Sequence, residues 1–227
     1  MKCKRSILGN LLGLLMLAAV AFAVWHLVSV PRTYAQSGYA QLWGDRSGSY
    51  FGAQAYITTP DPSIASGWSV AHTAVSELYS PRYIEAGAMK RASGSRHPYA
   101  SWIDQNGAPG FNERTDINLA ANGSYKYKIT YAGSGVWDAY IKTGSGWYFI
   151  ATPRLYRYST YPYVGEGGES SSFSNAIGPS TSSGNKYRSG SSWYSYCYDP
   201  NLVTNNCDGT ISPCSNYSWS VSYSPED

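Results

Sequence analysis

The sequence predicts an all-β fold, an antiparallel double-sheet β-sandwich or jelly roll. The chain has 227 residues, of which 23 are Gly, 22 are Tyr and only 14% are charged, a composition typical of strands joined by turns. No segment after residue 36 has a convincing helical period of 3.6 residues. Short runs that alternate apolar with polar residues recur instead between turn residues, as in sandwiches and jelly rolls. Residues 36–227 are therefore predicted to form a single domain.

Turn residues delimit the predicted strands. Pro60-Asp61-Pro62 ends the first apolar segment, and Asn106-Gly107 and Asn122-Gly123 are strong turn dipeptides. Residues 143–146 (TGSG) separate the two strands of a hairpin. The Ser/Gly-rich segment near 170–192 is predicted to be a loop. The predicted strands are 49–59, 68–78, 82–91, 99–105, 116–119, 125–131, 136–141, 147–150 and, within the tail that starts at Trp193, 217–223.

The N-terminus has the pattern of an export signal. Basic residues in the first five positions precede a long apolar run over residues 7–30. Thr33 and Ala35 are small residues placed for signal-peptidase cleavage after Ala35. Residues 1–35 are therefore predicted to be a signal peptide, and the protein to be secreted. Because the apolar run is longer than a typical signal peptide requires, an uncleaved anchor that holds the domain at a membrane is the alternative.

Three cysteines lie in the predicted exported domain: Cys197, Cys207 and Cys214. An odd number in an oxidising compartment predicts one disulfide and one remaining thiol. Cys207 with Cys214 closes the shorter loop and is the predicted pair, although Cys197 can join either of them. A zinc site is not predicted here, because these cysteines lack Cys-x-x-Cys spacing and have no histidine nearby.

Charge and histidine content argue against several classes of function. The net charge is only +3 and Lys and Arg form no run, so nucleic acid is not an expected partner. The histidines of the domain are His72, inside an apolar strand, and His97, before a proline. With no Gly-x-Ser-x-Gly motif, a Ser-His-Asp hydrolase is not predicted, nor is a metal site or a cofactor.

The strand predicted over 82–91 contains the most informative carboxylate, Glu85. An unpaired buried carboxylate is unfavourable, so Glu85 on a strand face is expected to be either solvated or functional. Gly87 lies on the same face and leaves space beside the carboxylate. Two more acids, Glu166 and Glu169, follow far downstream around a Gly-Gly pair.

Glu85 and one of the downstream acids would form an acid-base pair if they faced each other across a groove. Like charges at close range push the two pKa values apart, so that one group keeps a proton while the other is ionised. The ionised group can then take a proton from an attacking water, and the protonated group can donate to the carbonyl oxygen or the leaving group. The sequence leaves open whether Glu166 or Glu169 is the partner.

These segments resemble the neprosin-type glutamic peptidases, which are related to the eqolisins. One catalytic glutamate of that family lies in an Ile-Glu-x-Gly-like strand, as in Ile84-Glu85-Ala86-Gly87, and the other in a Gly-Gly-Glu segment, as in Gly167-Gly168-Glu169. The resemblance covers roughly residues 50–185 in layout. It implies a concanavalin-like sandwich and an acid-active, water-activating endopeptidase. It also implies that Glu85 and Glu169 are the catalytic residues and that the substrate is a polypeptide, cut near proline.

The candidate binding residues lie beside these acids. They are Tyr83 and Gly87 on the strand of Glu85, Trp102 in a segment that stands loosely for the family's Tyr-Trp-Thr motif, and Glu166. The abundance of aromatic residues supports an alternative, a carbohydrate-binding sandwich module without catalysis whose partner is a polysaccharide. That alternative predicts exposed coplanar rings and no facing carboxylates. An inactive descendant of the enzyme fold also stays open.

Overall fold

The computed structural model describes residues 40–76, 82–155 and 160–225. All of them lie in one compact unit, Tyr34–Asp227. The signal peptide or anchor predicted for residues 1–35 lies outside the described residues. Within the described ranges, no helix has the length and apolar character needed to cross a membrane.

The described residues form strands and no helix. The predicted turns lie between strands, and Asn122 takes the left-handed conformation (φ 56°) that its turn requires. In chain order the strands are β1 (Ala40–Tyr50), β2 (Gly52–Thr58), β3 (Trp68–Ser76), β4 (Tyr83–Arg91), β5 (Arg96–Ile103), β6 (Pro109–Glu113), β7 (Ser124–Gly133), β8 (Val136–Thr143), β9 (Gly146–Ala151), β10 (Tyr161–Ser170), β11 (Ile177–Ser189), β12 (Ser192–Ser195), β13 (Val203–Asn205), β14 (Thr210–Ile211) and β15 (Trp219–Tyr223).

Two antiparallel sheets form a sandwich. The first sheet has seven strands in the order β13-β1-β10-β3-β4-β5-β6. The second has eight, in the order β14-β15-β11-β2-β7-β8-β9 with β12 paired to β11. The predicted all-β double-sheet fold is therefore confirmed. In the seven-stranded sheet, β3 lies between β10 and β4, so two strands that are far apart in sequence become next-nearest neighbours.

The core lies between the two sheets. Ile84 and Ala86 of β4 are fully buried there, together with Ile129 and Trp137 of the second sheet. Burying an apolar side chain of this size contributes about 1.5–3 kcal/mol. Since strand side chains alternate, the same packing directs Glu85 to the opposite face of the seven-stranded sheet.

Several sequence expectations about strands are wrong. Residues 116–119 form a turn and a loop, not a strand. The segment near 170–192, predicted to be a loop, is mostly the long strand β11. Two of its buried serines are compatible with burial because they hydrogen-bond: Ser180 Oγ donates to the Thr58 carbonyl oxygen at 2.7 Å, and Ser182 Oγ donates to Asn185 Oδ1 at 2.6 Å.

The predicted disulfide is also wrong. The bond joins Cys197 to Cys214, with a Cα–Cα distance of 5.7 Å, and Cys207 is a free, buried thiol. Cys207 packs with the core, and its sulfur lies 3.7 Å from the carbonyl oxygen of Gln41. Loop length could not decide the pairing because strand packing, not chain separation, sets which Cα atoms lie within bonding range.

Candidate active site

Glu85 and Glu169 lie on the same face of the seven-stranded sheet, the face turned away from the core. Strand register places Gly167, His72 and Gly87 side by side on β10, β3 and β4. Glu169 stands two residues along β10 on one side of this row, and Glu85 stands two residues along β4 on the other side. The two carboxylates therefore approach each other diagonally across His72.

The two glycines of this row allow the strands to pack closely around the acids. A Cβ atom on Gly87 would lie 1.9 Å from the carbonyl oxygen of Ala71, and one on Gly167 would lie 2.0 Å from Cβ of Trp43. No side chain fits at either position without movement of its neighbours. Gly87, predicted from sequence to leave the face bare beside Glu85, does so.

Glu85 is 6% exposed and has one hydrogen bond, which the Tyr99 hydroxyl donates to its Oε1 atom at 3.1 Å. Burial raises the pKa of Glu85 well above the usual value of 4.5, and the nearby charge of Glu169 raises it further. The Tyr99 hydrogen bond acts in the opposite direction, since it favours the ionised carboxylate.

Glu169 is partly exposed and is held by the neighbouring strand β1. The side-chain amide of Gln41 donates to Glu169 Oε1 at 3.1 Å. Burial of the carboxyl raises the pKa of Glu169 to about 7, and the Gln41 hydrogen bond opposes this increase. The pair is thus asymmetric: Glu85 is the more enclosed acid, and Glu169 is the one with an amide donor.

His72 lies between the two acids and is 1% exposed. Its Nδ1 atom is 3.8 Å from Glu85 Oε2, too far for a hydrogen bond, and the Trp43 ring contacts the imidazole edge-on at a centroid distance of 5.3 Å. Desolvation lowers the pKa of His72 to about 3, so the ring is neutral at ordinary pH. One ring nitrogen of His72, one carboxylate oxygen of Glu85 and one of Glu169 lie within 4.8 Å of one another.

Glu166 does not join this group. Alternation along β10 turns it toward the core, where it is fully buried. Its carboxyl group accepts hydrogen bonds from the Tyr196 hydroxyl at 2.5 Å and from Thr73 Oγ1 at 3.1 Å. Desolvation raises the pKa of Glu166 to about 8. Of the two downstream acids, the structure places Glu169 opposite Glu85.

The other sequence candidates are divided between the two faces. Tyr83 shares the face of Glu85, and its hydroxyl is hydrogen-bonded with Ser101 Oγ at 3.0 Å. Trp102 pairs with Ile84 and packs against the core, so its placement beside the acids is wrong.

Sequence reasoning missed three residues that contact the pair: His72, Gln41 and Tyr99. Each comes from a different strand, and no local spacing connects them to Glu85 or Glu169. One signal was available for His72. A histidine inside an otherwise apolar strand is a buried polar group that requires a reason.

Comparison with known proteins supports the fold and no closer relationship. No protein-family model matches the chain, and no curated protein matches it. Among solved structures, scytalido-glutamic peptidase with a transition-state analogue inhibitor matches with a TM-score of 0.58 at 11% identity, covering 83% of this chain and 98% of the other. SCP-B, a member of the eqolisin family of peptidases in complex with the tripeptide Ala-Ile-His, matches with a TM-score of 0.55 at 13% identity, covering 83% and 98%. At such identities the likeness shows a shared sandwich fold.

Proposed function

We propose that the chain is a glutamic endopeptidase of the neprosin type, in which Glu85 and Glu169 activate a water molecule to cleave a peptide bond. The observation that carries this proposal is the position of the two acids. They approach across His72 on the outer face of one sheet, and the charge of Glu169 raises the pKa of Glu85. The fold shared with glutamic peptidases supports the proposal but does not assign the activity.

The asymmetry of the pair assigns the two roles. Glu85, the more enclosed acid, holds the shared proton, whereas Glu169, which accepts from Gln41, is the carboxylate that ionises first. A water hydrogen-bonded to both acids, at about 2.7–2.8 Å from each oxygen, fits carboxylate oxygens that lie within 4.8 Å.

The reaction then needs two proton transfers. Glu169 takes a proton from the water while the water oxygen bonds to the carbonyl carbon. At the same time, Glu85 donates a proton to the carbonyl oxygen. In the tetrahedral intermediate, the proton now on Glu169 passes to the amide nitrogen, and the C–N bond breaks. Glu85 recovers its proton as the carbonyl re-forms, so the pair returns to its starting state.

The raised pKa values also bear on the working pH. The resemblance implies acid activity, but the pair needs one proton and not two. With the pKa of Glu169 at about 7 and that of Glu85 raised well above 4.5, the singly protonated pair is favoured near neutral pH in the free chain. We therefore expect activity to fall on the acid side of this range.

The carbohydrate-binding alternative is less well supported. It requires exposed coplanar rings without facing carboxylates. The close approach of Glu85 and Glu169 is the arrangement that this alternative excludes. We propose in addition that the domain is exported, which the Cys197–Cys214 disulfide supports, since such bonds persist in oxidising compartments.

The decisive experiment is cleavage of an unstructured, proline-containing protein between pH 3 and pH 8 by the wild-type chain, Glu85→Gln and Glu169→Gln. We expect each substitution to reduce kcat by at least about 100-fold, in line with the loss of an acid-base group. Asp138→Asn, on the second sheet, is the control and should cleave like the wild type. If wild type and both Gln variants cleave alike, or none cleaves at any pH, the proposal fails. Loss of activity in Glu166→Gln with full activity in Glu169→Gln would also contradict the assigned pair.

A further inference from the structure

The imidazole of His72 is a buried polar group that the proposed reaction does not use. Within the described residues, neither ring nitrogen has a hydrogen-bond partner. Leaving such a group unpaired costs about 1–3 kcal/mol. A buried histidine in a structural role normally satisfies at least one nitrogen, as His97 does on the same face through its contact of 3.0 Å with the Ile117 carbonyl oxygen.

His72 is also aimed at the two acids. Its Nδ1 atom is 3.8 Å from Glu85 Oε2, and one nitrogen and one oxygen from each acid lie within 4.8 Å of one another. Ligand atoms at about 2.0–2.2 Å from a tetrahedral zinc ion are roughly 3.3–3.6 Å apart, so side-chain shifts of the order of 1 Å bring the three atoms into range. The flanking glycines, Gly87 and Gly167, leave no competing side chains in this row.

We propose that His72, Glu85 and Glu169 form a divalent-cation site, with zinc as its ion. One imidazole nitrogen and two carboxylate oxygens are a ligand set that zinc accepts, with its remaining positions free for water or a substrate oxygen. Two carboxylates also balance the charge of the ion. The sequence alone predicted no metal, because the three ligands come from β3, β4 and β10 and have no characteristic spacing.

The site would regulate the activity proposed above. A zinc ion bound to Glu85 and Glu169 occupies both oxygens that would hold and activate the water, so the ion and catalysis compete for the same atoms. This competition rests on the proposed function, whereas binding of the ion does not. While zinc is bound, Glu85 and Glu169 therefore cannot act as the acid-base pair.

The test is calorimetric titration of the full chain with Zn²⁺ alone at pH 7.5. We expect one ion per chain, and a loss of affinity of at least about tenfold in His72→Gln, Glu85→Gln and Glu169→Gln. His97→Gln is the matched control for the loss of an imidazole, and Cys207→Ser removes the free thiol found among the described residues. Both controls should bind like the wild type. The inference is overturned if the wild type does not bind zinc, if His72→Gln binds equally well, or if Cys207→Ser abolishes binding.

X-ray absorption at the zinc edge of the loaded wild type covers the case in which His72→Gln fails to fold. Imidazole and oxygen ligands without sulfur are expected, and a sulfur ligand or the lack of imidazole overturns the inference.

Cleavage assays with a chelator and with saturating Zn²⁺ separate the two proposals. Zinc binding without any cleavage removes the proposed function and leaves the site. Cleavage that saturating zinc does not inhibit contradicts the competition.

Discussion

Each of the two acids accepts one side-chain hydrogen bond. Tyr99 donates to Glu85 and Gln41 donates to Glu169, and both bonds favour the ionised form of the acid that accepts them. Burial of each carboxyl changes its pKa more than the hydrogen bond does, so the pKa values of both acids are raised. The pair is therefore held in a state in which a proton is retained at a pH where ordinary surface glutamates have lost it.

Gln41→Leu tests this assignment at a single residue. Removing the amide donor leaves burial unopposed and raises the pKa of Glu169, so ionised Glu169 appears only at higher pH. We expect the acid limb of the pH profile of kcat/KM to move to higher pH. Gln54→Leu, which changes a buried glutamine of the second sheet, should leave the limb in place. A limb that moves to lower pH, or does not move, contradicts the role of Gln41.

At the scale of residues, sequence could find the two acids but not their surroundings. Glu85 and Glu169 stand in short motifs with glycine, which made them visible. Gln41 and Tyr99 are ordinary strand residues whose importance depends on register across β1 and β5. Register between strands so distant along the chain is set by packing of the whole sheet and leaves no local pattern.

The central strands of the first sheet owe their close packing to glycine. Gly87 pairs with His72 across β3 and β4, and the carbonyl oxygen of Ala71 occupies the space where a side chain would begin. The Ile-Glu-x-Gly pattern is thus also a structural requirement of the strand that carries Glu85.

Gly87→Ala measures this requirement. A Cβ atom 1.9 Å from a backbone oxygen forces the strands apart, and overpacking of this kind costs about 1–3 kcal/mol. We expect a loss of that order in the free energy of unfolding, measured by urea denaturation. Gly144→Ala is the matched control, because no atom lies within 4 Å of its Cβ position, and it should be close to neutral. Equal stability of the two variants would show that the strands tolerate the added methyl group.

Alternation of apolar and polar residues made the central strands predictable from sequence. Strands composed mainly of polar residues could not be recognised in this way. The segments predicted at 49–59, 68–78, 82–91 and 125–131 correspond to β2, β3, β4 and β7, in which apolar residues face the core. By contrast, β11 is rich in Ser and Gly, and its Ser180 is satisfied by a hydrogen bond to Thr58 of the neighbouring strand β2, which only the folded sheet provides. The glycines of β10 allow close approach of neighbouring groups within a regular strand.

For the whole molecule, buried carboxyl groups make stability depend on pH. Glu166 in the core has a pKa of about 8, compared with an ordinary value of 4.5. A carboxyl whose pKa is raised by folding contributes its stability fully below the unfolded pKa and loses it as pH rises through the folded value. The stability contributed by Glu166 is therefore expected to be fully present below pH 4.5 and to be lost between pH 4.5 and about 8.

Glu166→Gln isolates the core contribution. A protonated carboxyl and an amide have similar shapes, so the variant keeps the core filled but cannot ionise. One such group contributes a slope of about 1.4 kcal/mol per pH unit within its window. We expect the free energy of unfolding of the variant to fall less steeply than that of the wild type between pH 5 and pH 8. An unchanged slope would mean that Glu166 ionises in the folded chain without cost.

The sandwich architecture buries apolar side chains between the two sheets and leaves the other face of the seven-stranded sheet for Glu85 and Glu169. Composition and alternation sufficed to predict that architecture. The order of the strands, which places β3 between β10 and β4, could not be predicted, since it depends on pairing between segments about ninety residues apart.

A pH titration of the glutamate side-chain carboxyl groups by carbon-13 NMR, in the wild type and in Glu169→Gln, tests the coupling of the two acids most directly. We predict that Glu85 titrates well above 4.5 in the wild type and that its pKa falls in Glu169→Gln, where the neighbouring charge is gone. If Glu85 titrates at its ordinary value, or at the same pH in both proteins, the two acids are not a pair.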